Sequence, residues 1–176
     1  MMLAVDAHYQ AARAQVAGVA FERWSSAIPQ AVYLSRVTGA HTYVPGQFYR
    51  RELPGILTLL QEHALSPGTI VIDGYVYLDG LSTPGLGKHL FDALHGRTRI
   101  IGVAKSPLSG IDSCHALLRG GSRRPLYVTA AGLALAQAKA CIAAMHGGHR
   151  MPTLLKMADQ DSRRHWSGDG KAASGA

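Results

Sequence analysis

Acidic residues are scarce in this chain of 176 residues: 11 Asp and Glu stand against 18 Lys and Arg, a formal net charge of +7. Cysteine is scarcer still, with Cys114 and Cys141 far apart and in no C-x-x-C pattern. That excludes a disulfide framework and a thiolate zinc site, and makes reduced, structural thiols the expectation. No apolar run approaches the length needed to span a bilayer, and the opening MMLAVDAHYQ lacks the basic region and long apolar region of a signal peptide. A cytoplasmic protein with no membrane partner is expected. Catalytic signatures are missing too. GLSTPGLGKHL has Ser82 where a P-loop needs glycine and His89 where it needs Ser or Thr, and the chain contains neither G-x-S-x-G nor H-E-x-x-H.

What is present begins with the basic excess, which is arginine. A guanidinium matches phosphate with a planar fork of donors, so the balance fits a polyanionic partner such as nucleic acid. Residues 1–165 read as one domain with a length sufficient for a real core. The Gly-rich, small and polar stretch 166–176 reads as a disordered tail.

Three short β-branched or aromatic segments come first, around Asp6, from Arg13 to Trp24 and from Gln30 to Gly39, and their close spacing predicts an antiparallel meander. From about Gln47 the apolar residues Phe48, Leu53, Ile56, Leu57, Leu59 and Leu60 take up a helical period, with Pro54 and Gly55 interrupting the first turns. A strand ending at Asp73, a Gly/Pro-rich loop, a short helix through KHLFDALHG and the strand TRIIGVAK follow, an alternation that predicts parallel strands with a crossover helix. RPLYVTA is a further strand candidate, GLALAQAKACIAAMHG the clearest helix, and a last helix is expected from about Thr153. The fold class is α+β: a mixed sheet of three antiparallel strands and then parallel ones, with helices packed on both faces.

The few acids are informative by position. Asp6 lies in the first strand, Glu52 near the start of the first helix, Asp73 at the end of a later strand and Asp159 on the last helix. Asp73-Gly74 by itself also suits a turn. If the first and fourth strands pair, however, Asp6 and Asp73 become neighbours, and a helix over the sheet can bring Glu52 or Asp159 to the same spot. Carboxylates so gathered repel one another, and a hard divalent cation such as Mg²⁺ relieves the repulsion. Lys105, ending the adjacent strand, stands where it would support developing charge. HTYVPGQFYRR interleaves aromatics with Arg50 and Arg51, offering stacking faces and phosphate partners, or else packs Tyr43 and Phe48 into the core. The histidines of HGGH, His146 and His149, fit a solvated helix end better than a metal site. Cys114 and His115, as sequence neighbours, make a poor nucleophile and base.

In chain order, AVDAHY, YVPGQFYRRELPG, VIDG, GLGKH, IIGVAK, PLYVTA and HRMPTLLKMAD together resemble the endonuclease V family, whose fold is ribonuclease H-like. The resemblance implies a Mg²⁺- or Mn²⁺-dependent endonuclease that hydrolyses a phosphodiester bond in DNA or RNA near a deaminated base, in repair or RNA processing. It implies metal ligands at Asp6, Glu52 and Asp73, with Asp159 where relatives carry Asp or His near the metal, and Lys105 as the supporting lysine. It also implies nucleic-acid contacts at Gly74, at His89 and at a wedge of Tyr43, Val44 and Pro45 that enters where a base is drawn from the stack, beside the phosphate partners that Arg50 and Arg51 offer. The chain departs from the family after Asp73. Val76 replaces a second glycine, the usual His-Pro-Arg stretch is gone, and one extra residue precedes His89. A branched side chain there predicts a narrowed base pocket and an altered choice of base. Ser106-Pro107 replaces the basic pair after the lysine, Thr42 the proline before the wedge tyrosine, and the family's helix before the first strand has no counterpart here. The competing expectation is a non-catalytic nucleic-acid-binding protein of the same fold.

Overall fold

A computed structural model describes residues 1–10, 13–38 and 49–164. The wedge candidates Tyr43, Val44 and Pro45 and the 166–176 tail lie outside the described residues. The strands β1 (Met2–Gln10), β2 (Arg13–Phe21), β3 (Ala31–Thr38), β4 (Thr69–Asp73), β5 (Arg99–Ala104), β6 (Ala116–Leu117) and β7 (Leu126–Ala131) form a sheet of seven in the order β3-β2-β1-β4-β5-β7-β6. The helices are α1 (Tyr49–Glu62), α2 (Leu86–Ala93), α3 (Leu135–Ala144) and α4 (Thr153–Ser162). None of the helices among the described residues is long and apolar enough to cross a membrane.

The meander forms as expected, with β1 and β3 each antiparallel to β2. β4 then pairs parallel to β1, and β5 parallel to β4. β7, in contrast, runs antiparallel to β5. The physical reason lies in the connection: a parallel pair needs a crossover, normally helical, whereas residues 105–125 contain a single 3₁₀ turn at Ser113–His115 and the two-residue β6 that hairpins onto β7. Pro54 falls inside α1 early enough to cost only the carbonyl of Arg50 its helical partner.

Side-chain alternation sorts the strands between two cores. Leu3, Val5, Ile70 and Ile72 face α1 and α2, packing with Ile56, Leu59 and Leu90. Ala4, Val71, Ile101 and Val103 face α3 and α4, packing with Ile142, Leu154, Leu155 and Ala158. By the same alternation Asp6 follows Ala4, and Asp73 follows Val71, onto the α4 face at the carboxyl ends of their strands. Gln15 on β2 anchors α4 there, its side-chain amide donating to the carbonyls of Asp161 (2.8 Å) and Arg164 (3.1 Å) at the helix end.

Just past Asp73 the chain crosses β5 at close range. A Cβ on Gly102 would stand 2.6 Å from the Gly74 carbonyl oxygen, 2.9 Å from the Val76 nitrogen and 2.8 Å from Thr129 Oγ1. That threonine oxygen accepts the Val76 N–H at 2.8 Å. Gly102→Ala is therefore expected to lower stability by about 1–3 kcal/mol through backbone crowding. Urea unfolding checks this, and an unchanged midpoint would mean that the crossing yields freely.

Candidate active site

Register decides the site. Val5 pairs with Ile72 in the parallel β1–β4 ladder, so Asp6 and Asp73 are the next residues on adjacent strands and project to the same side. Asp159 descends on them from α4, and one carboxylate oxygen from each of Asp6, Asp73 and Asp159 lies within 4.8 Å of the other two. Lys105 Nζ donates to Asp73 Oδ2 at 2.8 Å. Ser162 Oγ lies within hydrogen-bonding distance of Asp6 Oδ2 and 2.9 Å from the Asp159 carbonyl. Arg163, one turn beyond Asp159, pairs with its carboxylate at 3.0 Å.

Glu52 lines the same cavity but is not one of that trio. The reason is topological: α1 covers the opposite face of the sheet from α4, so Glu52 reaches the site around the strand ends rather than from above. It sits in the first turn of α1 and is only 7% exposed. Burial, reinforced by the charges of Asp6 and Asp73 and offset by Arg51, pushes its carboxyl up to about 8. Asp6 is likewise raised, by burial first and by Asp73 and Asp159, against the Ser162 hydrogen bond and Lys105. For Lys105, burial works against the charge, yet the hydrogen bond and charge of Asp73, with Asp159 and Asp6 behind it, hold its ammonium above the usual lysine value.

Three carboxylate oxygens within 4.8 Å of one another, whose charges add to burial in raising the proton affinity of Asp6 and Glu52, suit a hard divalent cation better than a soft one. The neighbouring cavity, about 540 Å³, joins Asp6, Glu52, Asp73 and Lys105 to a largely apolar wall of Tyr75, Leu78, Pro84, Leu86 and Leu108. Gly74 lines it with φ of +142°, a conformation that favours glycine. Val76 does not narrow it: its side chain is fully buried in the α1–α2 core and is absent from the lining. The loop that carries the wall is organised by Asp79, whose Oδ1 accepts the backbone N–H groups of Leu81 (2.9 Å), Ser82 (2.8 Å) and Thr83 (3.0 Å). Those bonds hold the Asp79 carboxyl well below the usual range. Leu78 N–H donates to the Thr83 carbonyl and Tyr77 bridges to Pro84, closing a small hairpin.

Of the residues expected to meet nucleic acid, Gly74 lines the cavity. His89 is outside the lining but stacks on Tyr49, which is in it, with ring centroids 3.6 Å apart. Arg50 is exposed beside the Tyr49 hydroxyl. Arg51 instead turns its guanidinium over the Tyr9 ring, 4.2 Å from the centroid. His115 is buried, with Nδ1 2.8 Å from the Val128 carbonyl oxygen, and His146 is 3.0 Å from Thr153 Oγ1, so neither shares the site. Sequence reasoning missed Tyr49, Tyr75, Ser162 and Arg163. The last two had a readable signal: at i+3 and i+4 from Asp159 they share its helix face.

Comparison with known proteins settles the family. The family model described as Endonuclease V matches residues 1–141. The chain belongs to the endonuclease V family. A curated endonuclease V from Streptomyces coelicolor is 43% identical over 70 residues, 38% of this chain and 28% of that relative's length. The crystal structure of endonuclease V from Streptomyces avermitilis superposes with a TM-score of 0.77 at 28% identity, covering 93% of this chain and 79% of the other. Endonuclease V from Ciona intestinalis, solved with a 24mer DNA containing an inosine followed by a ribo-adenosine, shares the fold at a TM-score of 0.74 and 20% identity, covering 92% of this chain and 84% of the other. The architecture is thus the ribonuclease H-like one of endonuclease V.

The raised Glu52 carboxyl makes stability depend on pH in a defined direction. Its folded value, about 8, exceeds the ordinary 4.5, so the native state holds a proton that the unfolded chain releases. The contribution is complete below about pH 4.5 and lost as pH rises towards about 8. Without divalent cations, stability should fall across that interval by an amount on the order of a few kcal/mol, and Glu52→Gln should flatten the decline. Urea midpoints at stepped pH check this; parallel curves for the two proteins would place the proton elsewhere.

Proposed function

We propose that this chain is a divalent-cation-dependent endonuclease that hydrolyses a phosphodiester bond of DNA or RNA beside a deaminated purine of the inosine type. The observation that carries the reading is the meeting of Asp6, Asp73 and Asp159, with Lys105 on Asp73, at the rim of an apolar-walled cavity roomy enough for a base. Family membership supports it, as does the inosine-containing DNA held by the Ciona intestinalis relative.

In this reading Asp6, Asp73 and Asp159 would hold Mg²⁺ or Mn²⁺, with Glu52 as the further carboxylate on the adjoining cavity. A cation bound there polarises the phosphodiester and lowers the pKa of a water. The protein's own groups supply the rest. Ser162 orients the Asp6 carboxylate, Arg163 does the same for Asp159, and Lys105 directs an ammonium at the charge that builds on the phosphate. Tyr75, Leu78, Pro84, Leu86 and Leu108 receive the extruded base and keep water from it. Because Val76 lies in the core and outside the lining of the roughly 540 Å³ cavity, a base the size of hypoxanthine has room.

The test is a panel of inosine-, uracil- and mismatch-containing DNA and RNA strands incubated with Mg²⁺ or Mn²⁺, with product ends mapped. Nicking near inosine is expected, abolished by a chelator and by Asp73→Asn, and reduced about 10²–10³-fold by Lys105→Ala. Strands that shift in a gel yet stay whole under every cation would establish a non-catalytic binder.

A further inference from the structure

We propose that Tyr75 and Arg150 are positioning residues for Lys105, gripping consecutive backbone carbonyls so that its ammonium stays on Asp73; this rests on the endonuclease reading of the site. The β5 ladder ends at the Ala104–Tyr127 pair, which leaves Lys105 beyond the last residue that the sheet holds. A lysine there, on a flexible four-carbon stem, has no fixed geometry of its own. Two side chains supply it. Arg150 Nη2 donates to the Lys105 carbonyl and, at 2.8 Å, to the Pro125 carbonyl on the approach to β7. The Tyr75 hydroxyl donates to the next carbonyl, that of Ser106, at 2.7 Å.

Both grips are anchored. Tyr75 is 7% exposed and belongs to the stretch whose Val76 N–H is tied to Thr129. Arg150 follows a segment that Arg119, itself buried, holds through the carbonyls of Met145 and His149. Close approach of Gly120 to His149 leaves that segment no slack, since a Cβ there would lie 2.3 Å from the His149 carbonyl carbon. One guanidinium nitrogen, Nη2, donates to both carbonyls and so ties Lys105 to the approach to β7. Tyr75 has a second consequence: its ring is part of the cavity wall, so the residue that meets an extruded base also sets the backbone beside the lysine.

Tyr75→Phe keeps the ring in the wall and removes the hydroxyl that donates to Ser106 and also bonds the Leu108 backbone, while Arg150→Gln removes the guanidinium and Arg150→Lys restores a cation. Measured on the strand that the wild type cuts, Tyr75→Phe should lower kcat about tenfold and Arg150→Gln about 10²-fold with little change in KM, and Arg150→Lys should recover part of the loss. In a Lys105→Ala background Tyr75→Phe should cost nothing further. Independently of cleavage, acetic anhydride labelling of the native protein, read by peptide mass spectrometry against Lys88, Lys139 and Lys156, should modify Lys105 severalfold faster in both Tyr75→Phe and Arg150→Gln. Unchanged Lys105 labelling, an effect on KM alone, or an undiminished Tyr75→Phe loss without Lys105 would each overturn the proposal. If the wild type cuts no strand, the endonuclease reading fails, and the labelling still decides whether these residues hold the lysine.

Discussion

Like-charge crowding is the constraint around which the rest of this molecule is arranged. The β1–β4 register sets two aspartates side by side at the ends of parallel strands, and α4 lowers a third onto them. In a partly buried setting such an arrangement is unfavourable by several routes at once: each carboxylate loses hydration, and each feels the others. The surrounding residues answer that cost locally. Lys105 pairs with Asp73, Arg163 with Asp159, and Ser162 donates to Asp6. Glu52 answers differently, by keeping its proton. What remains is an oxygen-rich site with more negative charge than its neighbours neutralise, which is the condition for retaining a hard cation.

The two helices that bring acids to the site arrive from opposite faces, and this separates their roles. α4 is fastened to the sheet through Leu154, Leu155 and Ala158 on one side and the Gln15 amide at its end, so Asp159 and Ser162 are held close to Asp6. α1 packs on the other core and offers Glu52 from its first turn, beside the cavity rather than over the aspartates. The carboxylates are therefore graded in burial, and the most buried of them, Glu52, is the one offered from the opposite face.

Beyond Asp73 the chain spends its specificity on backbone crossings rather than on polar side chains. Gly102 admits the Gly74–Val76 segment across β5, Val76 goes into the core, and Asp79 ties the following hairpin so that Leu78 and Pro84 face the cavity. A residue that, read from sequence, would narrow the pocket instead anchors its floor. The same segment places Tyr75 between the cavity and the peptide after Lys105, so the cavity wall and the hold on that peptide share a short stretch of chain.

Much of this was legible in the residues themselves. The short β-branched or aromatic runs of β1, β2 and β3, the apolar β4 and β5 with a helical segment between them, and the Ala-rich α3 are local patterns, and local patterns survive folding. With so few acids in the chain, Asp6, Glu52, Asp73 and Asp159 stand out by position alone. What the sequence by itself determined was therefore which residues are acidic and on which kinds of element they ride. Only the tertiary structure decided the antiparallel course of β7, the inward turn of Arg51 over Tyr9, the burial of Val76 and the hold of Arg150 and Tyr75 on the end of β5. Each of these is set by contacts between segments tens of residues apart, and strand direction, side-chain facing and long-range hydrogen bonds leave no periodic trace in the chain that makes them.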